Sequence, residues 1–224
     1  MMIYKIGSRG EMVGQIQKAL HLVQDNIFGP ITDEAVKAFQ KSKGLKVDGI
    51  VGPATLALLI PCRFKKSKRT ITEIIIHCTA TPEGNDVTVE QLRKEHVKNR
   101  GFSDIGYHYV VYRNGHVMDG RDVDKVGAHC TNHNAHSIGI AYVGGVENKP
   151  GVPYERQKGK DTRTLAQKAG LLSLLVDLRK LYPKAKILGH RDTSPDKNGN
   201  GTVEPCEWIK ECPCFDAMKE YRNV

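Results

Sequence analysis

The sequence predicts an α/β protein: a mixed β-sheet flanked by helices, preceded by a small N-terminal three-helix domain. Three observations predict it. A turn followed by a helix start occurs twice within residues 1–59, as Asp25-Asn26-Ile27-Phe28-Gly29-Pro30-Ile31-Thr32 and again as Asp48-Gly49-Ile50-Val51-Gly52-Pro53-Ala54-Thr55; a repeated unit of this kind builds a local stack. From residue 71 onward, β-branched runs alternate with helical segments, which places helices on a sheet. Asn114-Gly115 between two apolar runs is the strongest short hairpin signal.

The elements follow in order. Ser8-Arg9-Gly10-Glu11 has capping-box spacing, and Met12, Val13, Ile16 and Leu20 then share one helical face. In each repeat the Gly supplies turn freedom, Pro suits a helix entry and Thr can cap it. Ala35, Val36 and Phe39 form the apolar stripe of the second helix. Residues 60–70, IPCRFKKSKRT, read as a basic linker, and residues 71–224 as the second domain. In it, Ile71 to His77 is a β-branched strand and Val89 to Asn99 is helical. Tyr107 to Arg113 and His116 to Gly120 flank the hairpin turn, and Ser137 to Val143 is a further strand. Thr164 to Tyr182 is an amphipathic helix, capped by Thr164 and Gln167 and ended by Pro183. Lys186 to Gly189 is a strand, and helix is expected again from Phe215.

A chain of 224 residues, 39% hydrophobic and 26% charged, is an ordinary globular composition for one mid-sized and one small domain. No apolar run reaches membrane-spanning length. No basic stretch followed by an apolar one opens the chain, so synthesis in the cytoplasm without a signal peptide is expected, with release by lysis or by a dedicated export route. A net charge of +9 attracts polyanions, either nucleic acid or an anionic cell wall. Against nucleic acid stand the absence of a groove-reading motif and a 6% aromatic content, too low for stacking platforms. Cysteines at 62, 78, 130, 206, 212 and 214 lack the CxxC pairs of a zinc ribbon, and reduced thiols, one or more of them metal-bound, are expected. A monomer is expected.

Three positions suit a catalytic metal: His77 and His190, each ending a strand, and Cys212. Two imidazoles and a thiolate match zinc, and three protein ligands leave a fourth position open. With nine histidines in the chain, composition alone does not single these out.

Two resemblances do. DNIFGPITDEAVKAFQKSKGLKVDGIVGPATLALL resembles the peptidoglycan-binding type 1 domain, over residues 3 to 59; this implies a wall anchor. IIIHCTATP, RGFSDIGYHYVVYRNGHVMDGRD, VGAH, NAHSIGIAYVGG, LGHRD and KECPCFD, collinear over residues 71 to 219, resemble the type 2 N-acetylmuramoyl-L-alanine amidase family, which includes phage T7 lysozyme and the peptidoglycan recognition proteins. The resemblance implies zinc held by His77, His190 and Cys212, catalytic roles for Tyr107 and Lys210, and substrate contact by His129. It implies hydrolysis of the lactyl–L-alanine amide of bacterial peptidoglycan, as in a phage or prophage endolysin. Cys78, next to His77 on a strand, points to the opposite face, and Cys214 falls on a non-ligand position. A recognition module that binds peptidoglycan without cutting it is the competing reading; such relatives typically lack the metal cysteine, which Cys212 supplies here.

One string lies outside this pattern. Asp196, Asn198, Asn200, Gly201, Thr202, Val203 and Glu207 match the positions of an EF-hand loop. A calcium ion bound by the oxygens of Asp196, Asn198, Asn200, Thr202 and Glu207 is the expectation; a polar Asn-Gly turn is the alternative.

Overall fold

A computed structural model describes residues 3–60 and 62–224; Met1, Met2 and Pro61, which fall within the expected N-terminal domain and linker, lie outside the described residues. The chain divides into two compact units. The first comprises Met1–Phe64, Leu175–Leu181 and Asn223–Val224, and the second Lys65–Leu174 and Tyr182–Arg222.

Residues 3–60 of the first unit form the helices α1 (Glu11–Ala19), α2 (Pro30–Ser42) and α3 (Pro53–Leu59). A buried glutamine explains the repeat. Gln17 Nε2 donates to Asp25 Oδ1, Ile27 O and Thr32 Oγ1 at 2.7, 3.0 and 3.1 Å. Gln40 Nε2 makes the equivalent bonds to Asp48 Oδ1, Ile50 O and Thr55 Oγ1 at 3.0, 3.0 and 3.2 Å. Each amide oxygen in turn accepts from the turn backbone, at Asn26 for Gln17 and at Asp48 and Gly49 for Gln40. Both glutamines are buried and their polar atoms satisfied, which makes each a cross-link between one helix and the next turn.

The structure corrects four local expectations. Thr32 and Thr55 serve the glutamines, and the N-caps of α2 and α3 are Gly29 and Gly52, without side-chain caps. The left-handed turn residues are Asn26 and Gly49, at φ 61° and 72°, three residues before those glycines. The capping box expected at Ser8 does not form. Its hydroxyl accepts from Lys5 N, and α1 starts behind Gly10. In α2 the buried stripe is Thr32, Asp33, Val36 and Gln40, with Ala35 and Phe39 only partly covered.

The second unit holds a five-stranded sheet in the order β4-β3-β5-β1-β7, from β1 (Glu73–Cys78), β3 (Tyr109–Val111), β4 (Val117–Asp119), β5 (Ser137–Tyr142) and β7 (Lys186–Gly189). Neighbours are parallel except β3 and β4, which are antiparallel; the sheet is mixed, as the sequence predicts. The β3–β4 turn is built by Asn114 and Gly115, with Asn114 Oδ1 accepting from His116 N and Gly115 at φ 83°. A two-residue pairing of β2 (Thr81–Pro82) with β6 (Gly145–Val146) carries too little pattern to be read from sequence.

Ile74, Ile75 and Ile76 are all fully buried, as expected of a central parallel strand covered on both faces. Helix α4 (Val89–Arg100) begins at a capping box of Thr88 and Gln91 and ends at Gly101 in the left-handed conformation; both features match helix-terminus chemistry. Its Val89 and Leu92 pack with Ile105, Val110 and Val143. Helix α5 (Leu165–Leu181) starts with reciprocal bonds between Thr164 and Gln167 at 3.0 Å. Gln167 then sends its buried amide to the carbonyls of Val111 and Val143, at the ends of β3 and β5. The chain closes on α6 (Ala217–Glu220), capped by Asp216. Among the described residues no helix is long and apolar enough to cross a membrane.

Candidate functional site

The site forms at the C-terminal ends of the parallel strands, where open α/β sheets place their clefts. Strands β1 and β7 are adjacent, with Ile76 opposite Gly189. His77 therefore emerges beside His190, the residue after β7. Asp192 Oδ2 accepts from Gly189 N at 2.7 Å and closes the 3-10 turn His190–Thr193. Cys212 reaches the same point from a loop that is anchored twice. Arg191 N donates to Cys212 O at 2.7 Å, and Tyr142 Oη, at the end of β5, donates to Pro213 O at 2.8 Å. The close approach of Pro213 leaves no room for a Cβ at Gly189.

The three donors converge. His77 Nδ1 lies 3.1 Å from His190 Nδ1 and 3.9 Å from Cys212 Sγ, and the three ligand atoms all lie within 4.8 Å of one another. Tetrahedral zinc with bonds of about 2.1 Å to nitrogen and 2.3 Å to sulfur separates such donors by roughly 3.3–3.6 Å, so the donor set fits that ion. Burial, reinforced by the charges of His129, His190 and Lys210, holds the His77 imidazole well below the usual histidine range. The neutral ring is the metal-ligating form. Cys78 N donates to Cys212 Sγ at 3.2 Å. The Cys78 side chain packs against Gly145, and its thiol, hydrogen-bonded to Cys212, is pushed up to about 12. Cys214 Sγ donates to Gly145 O.

A cavity of about 820 Å³ opens on these donors, lined also by Tyr107, His129 and Lys210. The Tyr107 ring lies 5.3 Å from that of His77 and 5.4 Å from that of His96, and burial raises the phenol above its ordinary range. His96, on α4, accepts from Gly106 N through Nδ1 and so fixes the turn that precedes Tyr107. Lys210 is exposed on the cavity rim, close enough for its charge to act on His77. His129 is buried and joins a hydrogen-bonded chain. His77 Nε2 is 3.0 Å from His129 Nδ1, His129 Nε2 is 3.3 Å from Ser137 Oγ, and Ser137 Oγ donates to His133 O. Gly127 and Gly139 bracket the His129 ring so tightly that a Cβ at either would collide with it.

Three supporting residues went unread in the sequence. His96 is buried on α4 with Val89 and Leu92. Asn134 Oδ1 accepts from His129 N and Cys130 N, and Arg121 donates to the carbonyls of Asp104, Ile105 and Val126 around the Tyr107 loop. Nothing in their spacing separates them from ordinary loop residues.

The calcium expectation finds no support. Asp196 accepts from Gly199 N and Gly201 N, Asn198 from Asn200 N, and Asn200 from Thr202 N. Glu207 is buried and accepts from Lys197 N, Asn198 N and Glu204 N, bonds that lower its carboxyl below the usual range. The oxygens of Asp196, Asn198, Asn200 and Glu207 are thus engaged by the loop's own amides. The flanks are short 3-10 turns, His190–Thr193 and Pro205–Glu207, in place of EF-hand helices. The carboxylates form no metal-holding group among the described residues. The segment is a series of Asx turns closed by a buried glutamate.

A parallel-sheet cleft with a His-His-Cys centre defines the class, and comparison with known proteins gives the family. Residues 67–206 match the family described as N-acetylmuramoyl-L-alanine amidase, and residues 9–59 match a putative peptidoglycan binding domain. The endolysin of Enterobacteria phage K11 is 36% identical over 157 residues, covering 70% of this chain and 89% of that protein. The endolysin of Klebsiella phage KP32 is 37% identical over the same shares. Drosophila PGRP-LB shares the fold, with a TM-score of 0.50 at 22% identity over 73% of this chain and 86% of that one. The chain belongs to the N-acetylmuramoyl-L-alanine amidase family and is an enzyme of that class. The matched span ends at residue 206, short of Lys210 and Cys212, which line the cavity.

Proposed function

We propose that this enzyme is zinc-dependent, that it hydrolyses the amide between the lactyl group of muramic acid and L-alanine in bacterial peptidoglycan, and that it serves a phage or prophage as an endolysin. The observation that carries the reading is the convergence of His77, His190 and Cys212 at the floor of the cavity. When bound there, zinc supplies Lewis acidity toward a carbonyl and a lowered pKa for a water. The residues of the chain do the rest. Lys210 places a positive charge at the rim, where it stabilises the oxyanion that exists only near the transition state. Tyr107 keeps its proton on Oη at neutral pH because burial disfavours the phenolate, and donates it in a hydrogen bond to that oxyanion.

Residues 9–59 act as the wall anchor, joined through the basic stretch 60–70, and the net charge of +9 favours an anionic wall. Synthesis in the cytoplasm and release at lysis suit the endolysin relatives. Digestion of purified peptidoglycan tests the bond assignment. The expected products are stem peptides with a free N-terminal alanine and no gain in reducing sugar ends. A gain in reducing ends without free alanine overturns it.

His129 was expected to touch substrate; its hydrogen bonds instead support a positioning role. By receiving the Nε2 proton of His77, it fixes the tautomer that turns Nδ1 toward His190 and Cys212. Such a partner of a metal-ligating histidine typically contributes 10- to 100-fold in metal affinity. His129→Ala is therefore expected to weaken zinc binding by roughly 10- to 100-fold in a competition titration, with activity restored at high zinc. Unchanged zinc affinity with a raised KM would return His129 to substrate contact.

A further inference from the structure

We propose a second zinc site, made by Glu73, His133 and His136 and distinct from the His77–His190–Cys212 centre. Glu73 opens β1. His133 and His136 stand three residues apart across the 3-10 turn Asn134–His136, and residues so spaced eclipse one another on such a turn. The two rings are 5.8 Å apart. Glu73 Oε2 lies 2.8 Å from His133 Nδ1 and 3.4 Å from His136 Nε2, and the three donor atoms all lie within 4.8 Å of one another. Neighbouring nitrogen and oxygen donors around tetrahedral zinc are roughly 3.3 Å apart; the two Glu73 distances bracket that value, and side-chain rotation closes the imidazole pair. Two imidazoles and a carboxylate are ligands for zinc, and the set leaves a fourth position to water.

The surroundings favour an ion over a simple charge pair. The ion pairs of Glu73 among the described residues are both to imidazoles, and an imidazole nitrogen is a zinc ligand as well as a hydrogen-bond partner. The adjacent guanidinium, Arg69, is directed at the carbonyls of Asn134, Ala135 and Ser137. Those bonds, with Ser137 Oγ on His133 O and the two bonds accepted by Asn134 Oδ1, hold the backbone of the turn through groups other than the three donors. The donor side chains are 16%, 27% and 40% exposed, open on one side for an ion and its water. An ion there ties the start of β1, whose other end carries His77, to the Thr131–Asn134 wall of the cavity. Its role is to stiffen that wall, and it binds the folded state alone.

The experiment is a zinc titration of the full chain, stripped with a chelator, against a chromophoric competitor, with cobalt absorption as a second readout. Wild type is expected to take up two equivalents, and Cys212→Ser and His136→Ala one each. His136→Ala keeps the thiolate-to-cobalt charge-transfer band. Cys212→Ser loses that band but still shows the weaker bands of cobalt held by nitrogen and oxygen. Glu73→Gln repeats the His136→Ala result from the opposite side of the site, and circular dichroism verifies that each variant is folded. A single equivalent in wild type that survives His136→Ala and vanishes in Cys212→Ser overturns the second site. A single equivalent with the reverse pattern supports it and contradicts the metal at the active site instead.

Discussion

Cys212→Ser is expected to reduce amide hydrolysis by at least about 1,000-fold, because it removes a centre that supplies several kcal/mol of transition-state stabilisation. The substitution keeps the size of the side chain but replaces a soft thiolate by a poor ligand. The backbone around it has its own anchors, at Arg191 N and Tyr142 Oη, so the protein remains folded. The loss is read as free N-terminal alanine released from purified walls, alongside circular dichroism and metal content. A folded, metal-free variant with near-normal activity would contradict the assignment. His77→Ala and His190→Ala are expected to behave alike, since each removes one donor of the same set.

Lys210→Ala is expected to lower kcat by about 100-fold, the lower end of the range for loss of one oxyanion-stabilising group. The lower end applies because Lys210 is exposed, and water partly screens a charge at the rim. Zinc stoichiometry should stay unchanged and KM should move little, since the interaction belongs to the transition state. Lys210→Arg should recover part of the loss. A variant that loses metal, or that changes KM alone, would assign Lys210 to structure or to wall attraction.

Much of this molecule is legible in the sequence, and the illegible parts have physical reasons. The Ile74–Ile76 run, the Asn114-Gly115 turn and the Thr164–Gln167 cap are local signals with local causes, and the structure realises each. The nearness of His77 and His190 is a consequence of strand order: 113 positions apart, they meet because β7 pairs with β1. A motif order shared with a family supplied what spacing could not. Direction of a side chain is harder to read. The resemblance implies substrate contact for His129, which lines the cavity, while the place of its ring between Gly127 and Gly139 and its bonds to His77 and Ser137 are not legible in spacing. Gln17 and Gln40 stand outside any apolar stripe, and only their equal spacing from Asp25 and Asp48 ties them to the repeat.

The 196–207 loop has a sequence pattern that two structures share. An EF-hand and a run of Asx turns both demand short oxygen-bearing side chains at alternate positions with a glycine between them. What separates them is the flanking helices and the partner of the last glutamate. Here that glutamate is buried against three amides of its own loop.

On the proposed reading, zinc held by His77, His190 and Cys212 is what the amide hydrolysis depends on. Mass spectrometry of purified peptidoglycan treated with the chelated protein, before and after addition of zinc, tests it most directly. The expected result is free stem peptides bearing N-terminal alanine, absent after chelation, restored by zinc, and not restored in Cys212→Ser. Intact walls in the presence of zinc, with the protein still bound to them, would contradict it and would make this chain a binder of peptidoglycan.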